Sequence, residues 1–266
     1  MHRRPTVGVF GLTGCAGDQL AILNCEDELL GLVELIDIRD FLMAASSPDA
    51  SCALDIAFVE GSVLSRRDEE TLQAIRARAG ILVAIGTCAV WGGVPAMAGD
   101  LDWPDAVRDV YGAGADHIDA LAPRALHEVV TVDSSITGCP IEKTEFLAAV
   151  ADLLNGNPPR PPTVPVCTEC KMRECCCVLV DHGLPCLGPV TLGGCNARCP
   201  AHGIACVGCR GPAPDANVGA ALDLLESHGV SRAMAITLLK SSGLKGLEMK
   251  SKAPFSMASR ATDIIA

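Results

Sequence analysis

Apolar residues in the first part of the chain fall into short runs, separated by stretches where they recur every three or four positions. Residues 7–12, 33–38, 55–60, 81–85 and 129–132 are compact apolar runs with β-branched residues and read as strands. Residues 18–32, 68–79 and 142–154 have helical spacing. This alternation predicts an α/β domain: a parallel sheet covered by helices on both faces. In such sheets, ligands bind beyond the carboxyl ends of the strands.

The pattern breaks at 155–165, Asn-Gly-Asn-Pro-Pro-Arg-Pro-Pro-Thr-Val-Pro. Five prolines in the eight positions 158–165 can continue neither a helix nor a central strand. The sequence therefore places a first domain over 1–155 and a stiff linker over 156–165. Residues 166–214 follow, with ten of the fifteen cysteines, many Gly and Pro, and no long apolar run. Such a segment buries too little surface to be stable alone, so its cysteines must bind something that replaces a core. Residues 215–266 read as a helical tail. Val218, Ala221, Leu222 and Leu225 share one face, and Ser231 is an N-cap candidate for a helix over 232–241. From Lys245 onward the pattern fades, which fits an arm that orders on a partner.

A formal net charge of −11 argues against a nucleic-acid partner and against an anionic membrane face. No apolar run reaches the ~18–20 residues that cross a bilayer. Arg3 and Arg4 are adjacent, as in some export signals, but an apolar h-region and cleavage site do not follow. The expected location is the cytoplasm. Dense cysteine in that reducing compartment points to metal rather than disulfides, and an odd count fits a fully paired framework poorly. Thiolate is a soft donor, suited to zinc or iron–sulfur iron.

Three cysteines stand just after expected strands: Gly14-Cys15-Ala16-Gly17-Asp18, Gly86-Thr87-Cys88 and Gly138-Cys139-Pro140. Three strand ends thus deliver one thiol each to the same edge of the sheet. A 4Fe–4S cluster takes four anionic ligands, and glycines beside them let the backbone approach bulky sulfide. Three thiolates leave one iron short. Asp18 stands where a C-x2-C pair would put its second cysteine, so it is a candidate fourth ligand. An acid in the first turn of a helix is more simply accounted for by the helix dipole, and the residues alone favour that reading while leaving ligation open. Cys25 lies about two turns further on, ~10 Å away along the axis, which is too far. Cys52 precedes its strand and belongs at the opposite end of the sheet.

Eight more cysteines run Cys167-x2-Cys170-x6-Cys177-x8-Cys186 and then Cys195-x3-Cys199-x6-Cys206-x2-Cys209. Eight thiolates complete two 4Fe–4S sets. Structural zinc uses C-x2-C pairs equally well, so number alone does not decide. Pro200 after Cys199 matches bacterial ferredoxin runs. Cys175, Cys176 and Cys177 are contiguous, and spacing leaves the ligand among them open. The division of the eight between two clusters is open too, because ferredoxin-type clusters exchange ligands between halves of a chain. His182 and His202 are possible iron ligands, but with eight cysteines present they read as surface histidines.

The runs Val7-Gly-Val-Phe-Gly-Leu-Thr-Gly-Cys15, Asp55-Ile-Ala-Phe-Val-Glu-Gly-Ser62, Gly86-Thr-Cys88-Ala and Gly138-Cys139-Pro-Ile-Glu-Lys resemble the iron–sulfur small subunit of nickel–iron hydrogenases. The related small subunit of respiratory complex I shares the fold but usually has adjacent cysteines in its first motif. Pro185-Cys-Leu-Gly-Pro-Val-Thr191 and Gly194-Cys-Asn-Ala-Arg-Cys-Pro200 are similar to the two-cluster part of cytoplasmic sulfhydrogenase and viologen-reducing hydrogenase small subunits. The resemblance extends to about residue 212. It implies a flavodoxin-like domain, then a ferredoxin-like cysteine-rich region, carrying three 4Fe–4S clusters. It also implies a first cluster on Cys15, Cys88 and Cys139. The family's usual C-x2-C is absent here, but a deazaflavin-reducing branch has the same Cys-x-x-Asp pattern, which favours Asp18 as the fourth ligand. Glu60 would sit near this cluster as a positioning or proton-handling group, or be a satisfied acid at a strand end. Family spacing picks Cys177 over its two neighbours.

On this resemblance the chain has no catalytic centre. It would carry electrons between a nickel–iron large subunit and flavin-bearing, NAD(P)-reducing and further iron–sulfur subunits. It lacks a Gly-x-Gly-x-x-Gly fingerprint, so nicotinamide and flavin should bind elsewhere in the complex. A second reading links the same wiring to a deazaflavin or heterodisulfide-reductase module. A reading of another class is a zinc-stabilised interaction protein.

Overall fold

The computed structural model describes residues 3–97 and 101–241. The chain divides into two compact units between Pro159 and Arg160, inside the proline-rich stretch.

The first unit runs β1 (Thr6–Gly11), α1 (Gly17–Leu23), α2 (Glu26–Leu35), β2 (Asp37–Phe41), β3 (Leu54–Glu60), α3 (Arg66–Arg78), β4 (Ala79–Ile85), α4 (Gly86–Trp91), α5 (Gly93–Ala96), α6 (Trp103–Tyr111), β5 (Ser134–Ile136) and α7 (Lys143–Leu154). The five strands are all parallel, in the order β2-β1-β3-β4-β5. This is the flavodoxin-like order. Chain direction across the sheet switches between β1 and β3, which opens a crevice at their carboxyl ends.

The central strands are apolar on both faces, as a sheet covered on both sides requires. In β3, Ile56, Ala57, Phe58 and Val59 are all buried, and in β4 so are Leu82, Val83, Ala84 and Ile85. Helix α7 docks through Phe146, whose ring meets Phe58 edge-on at 5.2 Å between centroids. Such a pair adds about 0.5–1.5 kcal/mol beyond the area it buries. Helix α3 starts where Ser65 Oγ accepts the Asp68 N–H at 3.0 Å, a side-chain N-cap.

The sheet corrects two expected strands. Residues 33–35 finish α2, and the edge strand starts only at Asp37. The run Leu-Leu-Gly-Leu-Val-Glu-Leu-Ile is apolar enough for either state, and local pattern does not separate them. Residues 129–132 form no strand; β5 is the short polar Ser-Ser-Ile that follows. Its place is fixed from β4 and α3: Asp133 Oδ2 accepts the Leu82 N–H at 2.7 Å and pairs with Arg76 at 2.5 Å. The expected helix over 18–32 is two helices, broken where Glu26 takes φ +40.

The second unit holds α8 (Val166–Met172), α9 (Arg198–Ala201), α10 (Val218–Ser227) and α11 (Arg232–Ser241). Its apolar layer is shared. Val166 of α8 and Val178, Leu179, Leu187 and Val190 of the cysteine-rich loops share a buried apolar cluster with Ala221, Leu225, Ala235 and Leu239 of α10 and α11. The two tail helices therefore supply burial that the cysteine-rich segment lacks. The rest of the expected tail, 242–266 with its arm, lies outside the described residues. Among the described residues, no helix is long and apolar enough to cross a membrane.

Candidate metal centre

The loops after β1, β4 and β5 meet at the carboxyl end of the sheet. The first is clamped to β3: Leu12 N–H donates to Glu60 O at 2.8 Å, and Ser62 N–H to Thr13 O at 2.9 Å. The β4 and β5 loops are joined by Thr87, whose N–H and Oγ1 both reach Gly138 O at 2.8 Å. Asp18, in the first turn of α1, is 6% exposed, and its Oδ1 accepts the Ile141 N–H at 2.8 Å. It is therefore more than a solvated helix-end acid. Glu60, at the end of β3, is 2% exposed, and its Oε2 accepts the Gln19 N–H at 3.0 Å.

These acids and thiols are electrostatic neighbours. Burial first, and then Cys139, Asp18 and Cys15, push Cys88 up to about 11, against the lowering effect of a bond from the Val94 backbone. Cys139 is also raised, by burial first and then by Asp18, Cys15 and Glu60. Asp18 is pushed up to about 6 by burial and, to a smaller extent, by Glu60, against the lowering effect of the Ile141 bond. The groups acting through space on Cys88 and Cys139 are thus acids and thiols. Such a set suits a cationic group, which would favour the ionised form of every member.

The backbone is cut to fit large ligand atoms. A Cβ on Gly17 would stand 3.2 Å from Cys15 Sγ, and one on Gly93 would stand 2.5 Å from Cys88 Sγ. Gly86 has φ +80, and a Cβ there would fall inside the Asp18 carboxylate. Among the described residues, no group of three or more His, Cys, Asp or Glu converges on one metal ion. A four-iron cluster places its ligands on separate irons, so its donors need not converge on one point. The donor chemistry and the glycine cradle fit such a cluster.

The other cysteines of this unit lie apart. Cys25 is fully buried in the core cluster that also contains Ile22 and Val150. Cys52 precedes β3, with its Sγ 3.3 Å from Asp49 O.

In the second unit, Cys167 is pushed up to about 12 by burial, then by Cys186, Cys170 and Cys177. A Cβ on Gly188 would stand 3.2 Å from Cys167 Sγ and 3.5 Å from Cys186 Sγ. Cys199 is raised by burial, then by Cys195 and to a smaller extent Cys186, against the lowering effect of Arg198. Burial pushes Cys206 up to about 12, with smaller contributions from Cys186 and Cys209. Its N–H reaches Cys186 Sγ at 3.3 Å. Cys177 N–H donates to Asp181 Oδ2 at 2.8 Å. Cys175 also lies beside Cys170, as a hydrogen-bond partner of its thiol. Cys175, Cys176 and His182 line a cleft of about 370 Å³ with Arg173 and Pro200. None of the fifteen cysteines is joined in a disulfide, and His182 and His202 are exposed.

Three charged residues were not singled out from the sequence: Glu169, Arg173 and Arg210. They hold the loop that carries Cys195. Their signal was present, because Glu169 lies between two cysteines of a pair and Arg210 directly follows Cys209.

The family model described as NADH ubiquinone oxidoreductase, 20 Kd subunit, matches residues 15–153. Sulfhydrogenase 2 subunit delta of Pyrococcus furiosus is 42% identical over 220 residues, 83% of this chain and 92% of that protein. A subunit of the F420-non-reducing hydrogenase of Methanocaldococcus jannaschii is 29% identical over 77% of this chain and 81% of that one. A chain in the crystal structure of an NAD+-reducing NiFe-hydrogenase in the H2-reduced state aligns with a TM-score of 0.52 at 28% identity, over 60% of this chain and 96% of that chain.

Proposed function

Because this chain belongs to the NADH ubiquinone oxidoreductase 20 Kd subunit family, and within it to the small subunits of nickel–iron hydrogenases, we propose that it conducts electrons through three 4Fe–4S clusters for a cytoplasmic, NAD(P)-linked complex. The observation that carries this reading is the meeting of Cys15, Asp18, Cys88 and Cys139 at the carboxyl end of one parallel sheet. In the proposal these four hold the first cluster. Cys167, Cys170, Cys177 and Cys186 hold a second, and Cys195, Cys199, Cys206 and Cys209 a third. The neighbours of Cys167 support the first of these last two sets and the Cys199–Cys195 and Cys206–Cys209 pairs the other, with Cys186 lying where the two sets adjoin, beside Cys206.

When bound, the clusters supply one-electron storage and transfer. The chain's own residues supply the rest. Gly17, Gly86 and Gly93 leave room beside the ligands. Ile141 orients Asp18. Glu60, bonded to the Gln19 N–H, fixes the start of α1 against the end of β3 and adds negative charge beside Asp18 and Cys139. The catalytic nickel–iron site would belong to a large subunit, and flavin and NAD(P) to further subunits. NAD(P) linkage is favoured by the likeness to the NAD+-reducing enzyme. A second reading keeps the wiring and joins it to a deazaflavin or heterodisulfide-reductase module; its deazaflavin arm is supported by the 28% identity, over 77% of this chain, to the coenzyme F420 hydrogenase gamma subunit of Methanosarcina barkeri.

Co-purification of the intact complex tests this function. Hydrogen-dependent reduction of NAD(P) by a complex containing this chain and a nickel-bearing subunit is the expected result. A complex that reduces only a deazaflavin or a disulfide favours the second reading. A chain that purifies without a nickel-bearing partner contradicts both.

A further inference from the structure

The loop 193–197 carries Cys195 and turns sharply: Gly194, Asn196 and Ala197 have φ of +110, +53 and +46. Asn tolerates this conformation but Ala rarely adopts it, so something must hold Ala197 there. Glu169 in α8 does so with both carboxylate oxygens. Oε1 accepts the Gly194 N–H at 2.5 Å and Oε2 the Ala197 N–H at 3.0 Å. Cys195 Sγ lies 4.0 Å from Oε2. Arg173 adds a bond to Asn196 O at 2.7 Å. Arg210 is 1% exposed, and its Nε donates to Gly193 O at 2.6 Å.

The two glycines are needed for these side chains to approach. A Cβ on Gly193 would stand 3.1 Å from Glu169 Oε1, and one on Gly194 would stand 2.5 Å from Arg210 Nη2. A carboxylate and a buried guanidinium therefore press on adjacent residues immediately before Cys195. Neutral side chains could hold the turn by hydrogen bonds alone. Full charges add a field at the sulfur, and in a partly dehydrated interior that field is weakly screened.

We propose that Glu169 and Arg210 are positioning residues that also set the reduction potential of the cluster on Cys195, Cys199, Cys206 and Cys209. Reduction adds one negative charge to a cluster, and nearby charge tunes its potential. Glu169 opposes that step and lowers the potential; Arg210 favours it and raises the potential. The inference rests on the iron–sulfur reading above.

The test is a spectroscopic redox titration of the anaerobically purified complex. In Glu169→Gln, which keeps an acceptor oxygen and the side-chain shape, one cluster moves to a more positive midpoint potential. In Arg210→Gln the same cluster moves to a more negative one, and in Arg210→Lys it stays near the native value. Shifts of the same sign, no shift, or loss of iron with native potentials in the clusters that remain would overturn the inference. If Arg210→Gln does not fold, the sign in Glu169→Gln decides: a positive shift supports the proposal, and none or a negative shift refutes it. Iron in the wild type separates the two levels. About twelve irons per chain with unshifted variants removes only this inference, whereas a wild type without iron removes the reading beneath it.

Discussion

The Ile141 N–H donates to Asp18 Oδ1 at 2.8 Å, joining two loops that lie 123 residues apart in the chain. One of those loops bears Cys15 and the other Cys139. The bond occupies one acceptor position on a carboxylate that has about four, so the group retains capacity for iron. Asp18 is thus oriented at the point where the family's second cysteine would stand.

Replacing Asp18 tests its role as a ligand. Asp18→Cys should keep the iron of the first cluster and move its potential negative, because thiolate donates more electron density than carboxylate. Redox titration reads the shift. An unchanged potential would count against ligation by Asp18.

Gly86→Ala should cost the first cluster. The new Cβ would occupy the Asp18 carboxylate position, and φ +80 adds backbone strain. Ala at a positive φ destabilises by more than about 1 kcal/mol before the steric clash is counted. Iron analysis should fall by about four atoms per chain, with a lower melting temperature. Full iron content would contradict the close approach seen here.

Cys25→Ala should do the opposite. Cys25 is fully buried in the core, away from the thiols at the carboxyl ends of the strands. Iron content should stay native while stability falls by about 1–2 kcal/mol, as for a small cavity. Lost iron would show that Cys25 is a ligand.

The three contiguous cysteines can be separated in the same way. Cys176→Ala should leave the iron content unchanged. Cys177→Ala should remove about four irons per chain, because Cys177 is the neighbour of Cys167 and Cys170. Native iron in Cys177→Ala would move the ligand to Cys175, which lies beside Cys170.

Much of the architecture was legible because the relevant signals are local. The β3 and β4 runs are long and apolar, and each cysteine loop follows its strand directly, so the shared edge could be read off. The misplaced strands had weaker signals. Ser134–Ile136 has little strand propensity and is held in register by Asp133 and Arg76. Residues 33–35 are apolar in a way that suits helix and strand alike. Glu169 and Arg210 escaped notice for another reason. Their roles depend on a turn between Gly193 and Ala197 that meets α8 only in three dimensions. The charge of a residue is visible in a sequence, but the loop it will grip is not.

Iron and acid-labile sulfide, measured together on the anaerobically purified chain in its complex, test the central claim most directly. About twelve of each per chain is the expected result, four for each set of ligands. Zinc without sulfide would contradict the account and leave a zinc-stabilised interaction protein in its place.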